Sequence, residues 1–348
     1  METNRPSYAM RGALALIAAA VLLVGAGGTL FGAPEMGLQA FKRLYWPPAA
    51  IPHPKNDPYT PAKFELGRTL FFDPILSGAQ VRSCATCHNP GLSWSDGEPR
   101  AIGENQLRLP LRTPTLLDVA WTPKLGWDGH FRDLESVALG PITGAANMNL
   151  PEPELIARLS AIPAYVSAFD AAFGKGGVTR VRIEQSLATF ERSIVSTDAP
   201  FDRWVRGDEM AISAAAKRGF ALFNGKANCA GCHSGWAFTD ASFHDIGLAK
   251  EGDLGRGHLF PTSVKLQHAF KTPTLRDVAR RAPYMHDGSI ASLEGVIDHY
   301  DRGGIERPSR DNGIHPLNLQ QGEKADLIAF LDTLSGTPKP YAVPALPR

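Results

Sequence analysis

Cys84-Ala85-Thr86-Cys87-His88 and Cys229-Ala230-Gly231-Cys232-His233 contain every cysteine of the chain. Each is a C-x-x-C-H element, the pattern at which haem c is attached covalently. The spacing has a mechanical basis. On one helical turn, residues three and four apart share a face. Two thiols can therefore add to the porphyrin vinyl groups while the histidine reaches the iron from one side. Cys84, Cys87, Cys229 and Cys232 are the expected thioether anchors, with His88 and His233 as proximal iron ligands. A zinc site or two disulfides would also use paired cysteines. With no thiol left outside the motifs, two covalently bound haems are expected.

At 348 residues the chain has room for about two domains plus accessory segments. The formal charge of +1 gives no reason to expect nucleic acid or another polyanion as partner. The 34 glycines and 28 prolines predict long loops between short helices. Arg5 and Arg11 precede an uncharged run from Gly12 to Ala33. Its apolar part, Ala13 to Val24, has the length of a signal-peptide core, and the whole run is just long enough to span a bilayer. Residues 1–34 are thus expected to be a cleaved signal peptide or a retained membrane anchor. Either delivers the chain to the periplasm. Residues 35–57 are expected to be a linker, and Trp46 to Pro61, with six prolines in sixteen residues, reads as an extended tether or docking arm.

The chain also repeats itself. Arg112-Thr-Pro-Thr-Leu-Leu-Asp-Val-Ala120 matches Lys271-Thr-Pro-Thr-Leu-Arg-Asp-Val-Ala279 at an offset of 159, which also carries Asp128-Gly129 onto Asp287-Gly288. Leu66 to Phe71 resembles Arg218 to Phe223 at an offset of 152, and the haem motifs lie 145 apart. Apolar residues at 183, 187, 190 and 194, and again at 327, 330, 331 and 334, have the helical period. No alternating run of strand length stands out. The expected fold is all-α: two tandem cytochrome c-like domains, about 58–205 and 206–340, with a tail at 341–348.

These pieces resemble, in order, the bacterial dihaem cytochrome c peroxidase and MauG family. The resemblance runs from about Thr60 to Gly336. It rests on Phe64-Glu-Leu-Gly-Arg-Thr-Leu-Phe-Phe-Asp-Pro74, Cys84-Ala-Thr-Cys-His-Asn89, Trp127-Asp-Gly129, Phe243-His-Asp-Ile-Gly247, Asp253-Leu-Gly-Arg256 and Pro283-Tyr-Met-His-Asp-Gly288. The resemblance implies a peroxidase-type oxidoreductase. Its N-terminal haem would meet hydrogen peroxide, its C-terminal haem would handle electrons, and Trp127 would relay between them. The partner would be a small cytochrome or cupredoxin, or a protein substrate. On the helix Leu293-Glu-Gly-Val-Ile-Asp-His-Tyr300, peroxidases of the family look to carry an axial methionine and MauG a tyrosine. Tyr300 therefore points to the MauG-like branch, because an anionic phenolate favours higher oxidation states of iron. His299 and Met285 are the alternative ligands.

The resemblance breaks on the distal side of the first haem. Asn147 and Val137 stand where the family has a catalytic glutamate and a glutamine. Asparagine can hydrogen-bond a peroxide but cannot carry a proton between its oxygens. Glu104, at the place of a removable distal histidine, is a candidate replacement. Arg112 stands where the family has an asparagine that helps to hold an inter-domain calcium. A guanidinium supplies no oxygen ligand, so calcium is in doubt and Arg112 is expected to put its own charge there. The distal changes also leave open a non-enzymatic electron carrier or redox sensor.

Overall fold

The computed structural model describes residues 41–347 apart from 197 and 339. The expected signal or anchor segment lies outside the described residues. Among those described, no single helix is long and apolar enough to cross a membrane.

Two helical units follow one another. The first consists of α1 (Pro61–Phe72), the short α2 (Cys84–Cys87), α3 (Leu134–Thr143), α4 (Glu152–Ser160), α5 (Pro163–Phe173) and α6 (Arg180–Arg192). After α7 (Pro200–Val205), the second has α8 (Ala214–Asn224), α9 (Leu293–Arg302) and α10 (Gln321–Asp332). A two-residue antiparallel pairing, β1 (Phe243–His244) with β2 (Phe270–Lys271), ties loops of the second unit together.

The sequence repeat is a repeat of geometry. In each unit the first and last helices cross at a glycine. A Cβ at Gly67 on α1 would stand 1.9 Å from the Ser186 carbonyl oxygen on α6. One at Gly219 on α8 would stand 1.9 Å from that of Asp326 on α10. Only glycine permits helices this close. Around the first crossing pack Leu66, Leu70, Phe71, Ile183, Leu187 and Phe190. Around the second pack Phe220, Phe223, Leu327 and Phe330.

The duplicated Thr-Pro-Thr-Leu-x-Asp segment is explained by its hydrogen bonds. The Thr115 hydroxyl donates to the Ser93 carbonyl (2.6 Å) and that of Thr274 to Ala237 (2.7 Å), each fastening the loop that follows a haem motif. Asp118 and Asp277 both adopt left-handed φ, 60° and 56°. Their amides donate to Ile194 and Leu334 just beyond the closing helix of each unit (2.9 and 3.1 Å). Their carboxylates accept from the amides of Ser196 (2.9 Å) and Gly336 (3.2 Å). An aspartate tolerates this conformation and caps locally, which is why it recurs.

The terminal segments cross over. Of the two forms expected for the linker at 35–57, a tether or a docking arm, the described part takes the docked one. Tyr45 is 2% exposed within the second core, its hydroxyl donating to Asn224 (2.8 Å). Lys42 pairs with Glu209 (2.6 Å) over the Trp204 ring. Large aromatics beside the prolines supply the buried area that a free tether lacks. Phe201, Trp204 and Val205 of α7, placed by sequence in the first domain, also belong to the second core. At the other end, Tyr341 and Leu346 pack against the first core.

Candidate haem centres

In both motifs the loop after the histidine sets the ligand. His88 Nδ1 lies 3.3 Å from the Trp94 carbonyl oxygen, and His233 Nδ1 lies 2.8 Å from that of Phe238. A carbonyl only accepts, so each Nδ1 carries the proton and each Nε2 keeps its lone pair. Burial holds both imidazoles below their ordinary pKa and therefore neutral, as an iron ligand must be. All four cysteines are free. Burial pushes the Cys84 thiol up and the Cys229 thiol up to about 12. These thiols are kept from ionising, which suits thioether anchors and not thiolates that bind zinc. The residues present fit haem c at both motifs.

The second centre is a deep, mostly apolar cavity. Cys229, Cys232, His233, Tyr300 and Met285 all line it, with Leu293 and Leu331 among its apolar walls. Tyr300 is on α9, and burial raises its phenol well above the ordinary range. The neighbouring His299 is engaged elsewhere. Its Nε2 donates to the Ile246 carbonyl (3.0 Å), and it is not among the residues that line this cavity. Met285 remains a second donor on the cavity wall.

Beside the first motif lies a more open and more polar groove. Cys87 lines it with Arg82, Thr86, Asp96, Glu98 and Ile102. Two segments meet on its rim, because the Glu104 amide donates to the Ala146 carbonyl (3.0 Å). That bond brings Glu104 and Asn147 to neighbouring places, both partly exposed.

Trp127 and Arg112 lie at the junction of the units. The Trp127 indole N–H donates to the Arg112 carbonyl (2.8 Å), and the Trp127 ring also lines the second cavity. The Arg112 amide donates to the His286 carbonyl (2.8 Å), and its guanidinium donates to the Arg281 carbonyl (2.5 Å). Arg112 is 7% exposed, so it is an inter-unit brace and not a surface cation. His286, at the repeat position of Trp127, stacks on Phe270 and bonds to Asp253 (2.8 Å).

Residues 61–210 match the family model for di-haem cytochrome c peroxidase, and residues 216–335 match that for cytochrome c. The methylamine utilization protein MauG of Methylorubrum extorquens is 50% identical over 93% of this chain and 92% of its own length. The chain belongs to the di-haem cytochrome c peroxidase family.

Two further relatives are less similar. The cytochrome-c peroxidase IdrP1 of Denitromonas iodatirespirans is 35% identical, over 85% of this chain and 88% of its own. A solved MauG-like protein associated with microbial copper homeostasis superposes with a TM-score of 0.77 at 31% identity. It covers 84% of this chain and 93% of that one. The family is one of peroxidase-type oxidoreductases, and the two cytochrome c-like units are its fold.

Sequence reading missed two features of this family member. Pro141, inside α3, is the repeat counterpart of Tyr300, so the first unit offers no donor there. The offset of 159 already held that signal. Glu191 was also missed. It is buried on α6, with one carboxylate oxygen lacking a partner, and burial pushes it up to about 8 against the pull of Arg192.

Proposed function

We propose that this chain is a periplasmic MauG-like enzyme that carries two covalent haems and spends the oxidising power of hydrogen peroxide on a side chain of a partner protein. Haem iron, when bound, supplies the two-electron chemistry with peroxide. Cys84 and Cys87 anchor one group and Cys229 and Cys232 the other. Hydrogen bonds from Nδ1 orient His88 and His233 as proximal ligands. The observation that carries the reading is that Tyr300 shares a cavity with His233 while His299 is committed to the Ile246 carbonyl. A phenolate there favours higher oxidation states at the second centre.

On the first centre's open side, Glu104 acts as the proton carrier that Asn147 cannot be, and Asn147 orients the peroxide by hydrogen bonding. Trp127 is the electron relay at the junction, held by its indole hydrogen bond to Arg112. Arg112's guanidinium takes the place of an inter-domain calcium, so calcium analysis of the holoprotein should find none bound tightly. The protein substrate rests on the resemblance to the MauG-like branch. Met285 on the same cavity wall supports a second reading. In that reading it is the axial ligand, and the protein is a cytochrome c peroxidase fed by a small cytochrome or cupredoxin.

One equivalent of H₂O₂ added to the diferric holoprotein, followed by rapid-scan absorbance and Mössbauer spectroscopy, tests these readings. The expected result is a changed oxidation level at both irons, lost at the second iron in Tyr300→Met and slowed at least tenfold in Glu104→Gln. Change at the first iron alone would favour the peroxidase reading. Response at neither iron would leave an electron carrier or sensor.

A further inference from the structure

The carbonyl that fixes the proximal histidine belongs to Phe238 at the second centre and to Trp94 at the first. That difference matters because an indole gives up an electron far more readily than a phenyl ring. Trp94 is 9% exposed and packs in the first core. Its ring meets Tyr341 edge-on, with centroids 5.2 Å apart. Tyr341 in turn stacks on Phe72 (5.3 Å, 16°) and lies 6.3 Å from Phe190. It belongs to the C-terminal segment of the opposite unit, fastened where Arg68 donates to the Ala342 carbonyl (3.3 Å). Tyr341 is partly exposed and Ala342 is exposed, which brings this residue to the protein surface. One continuous series of contacts therefore runs from His88 through the Trp94 carbonyl and indole to a surface phenol.

We propose that Tyr341, reached through Trp94, is an oxidation site of this protein, where the first centre withdraws an electron when no reducing partner is bound. The proposal rests on the peroxide reading above. Tyr341 gives one electron inward through Trp94 and its phenolic proton to water, leaving a neutral phenoxyl radical. One H₂O₂ takes up two electrons and two protons, from two such tyrosines, and becomes two waters. Radicals on two molecules then join through a carbon–carbon bond, and both phenols are restored in the dityrosine.

The test uses the holoprotein with limiting H₂O₂ and no added reductant. It reads haem absorbance, freeze-quench EPR and peptide mapping of covalent dimers in the same samples. The expected result is a tyrosyl EPR signal and dityrosine dimers mapped to Tyr341. Tyr341→Phe, which keeps the stacked ring, should lower dimer yield at least tenfold. Trp94→Phe should slow its formation by a similar factor, with Tyr341 and the thermal midpoint otherwise retained. Dimers at undiminished yield in Tyr341→Phe, or wild-type modification mapped elsewhere with Tyr341 intact, overturns the proposal. If the haem bands respond but Tyr341 stays unmodified, only this proposal fails. If the haem bands do not respond at all, the peroxide reading fails and takes this one with it.

Discussion

At three equivalent places the two haem units carry different chemistry. Pro141 answers to Tyr300, Trp127 to His286, and Glu191 to Leu331, the last pair aligned through the crossings at Ser186 and Asp326. At other equivalent places the units agree down to single hydrogen bonds, as at Thr115 and Thr274 or Asp118 and Asp277. Backbone geometry is shared, because each haem motif needs its loop tied and its helices crossed closely. Cavity lining is not shared. A side-chain donor stands at position 300 and none at its counterpart 141.

The largest expected break in this comparison is at Arg276, fully buried in the second unit and paired with Asp202 (2.8 Å). The first unit has Leu117 in its place. Asp202→Ala strands a buried guanidinium and should cost about 3–5 kcal/mol in denaturant unfolding. At the equivalent position 117 the first unit has no charge to strand. A loss below 1 kcal/mol would mean that Arg276 is solvated by other means.

Glu191 comes next. Burial raises it to about 8 from an unfolded value of about 4.3. Folding therefore takes up a proton between those values. The associated stability is complete below the unfolded pKa and is lost as pH rises through 8. Glu191→Leu, which copies Leu331, should flatten the fall of the thermal midpoint between about pH 4.3 and about pH 8. The slope removed should lie below the one-proton limit of about 1.4 kcal/mol per pH unit. An unchanged pH profile would show that Glu191 finds a partner once haem is in place.

The smallest effect asks whether the crossings really match. Gly67→Ala and Gly219→Ala each drive a Cβ against a helix carbonyl, and each should cost about 1–3 kcal/mol by overpacking. Unequal costs, read by calorimetry of the holoprotein, would show that one crossing yields more readily than the other.

Much of this was legible in one dimension. The haem motifs are local, so spacing alone exposes them, and the offset of 159 exposes the duplication. The helical period located α6 and α10 because their apolar residues face a single core. Other features were not legible. Lys42 and Tyr45 precede a proline-rich stretch that reads as a tether or docking arm, and only the distant Trp204, Glu209 and Asn224 make their segment a brace. Tyr341 read as tail because its partners Phe72 and Trp94 are more than 240 residues away in the chain.

The sequence by itself determined the cofactor type, the number of attachment motifs, the tandem helical units and the family. All of these rest on residues a few positions apart or on exact repetition. Tertiary structure alone decided that His299 is spent on the Ile246 carbonyl while Tyr300 faces the cavity. These two neighbours on one helix differ by about 100° in direction, and only the surrounding fold says which direction meets the haem pocket. It also decided that Arg112 braces Arg281 and that each terminal segment closes the opposite unit. Contacts between residues far apart in the chain are set by packing, and no local pattern encodes them.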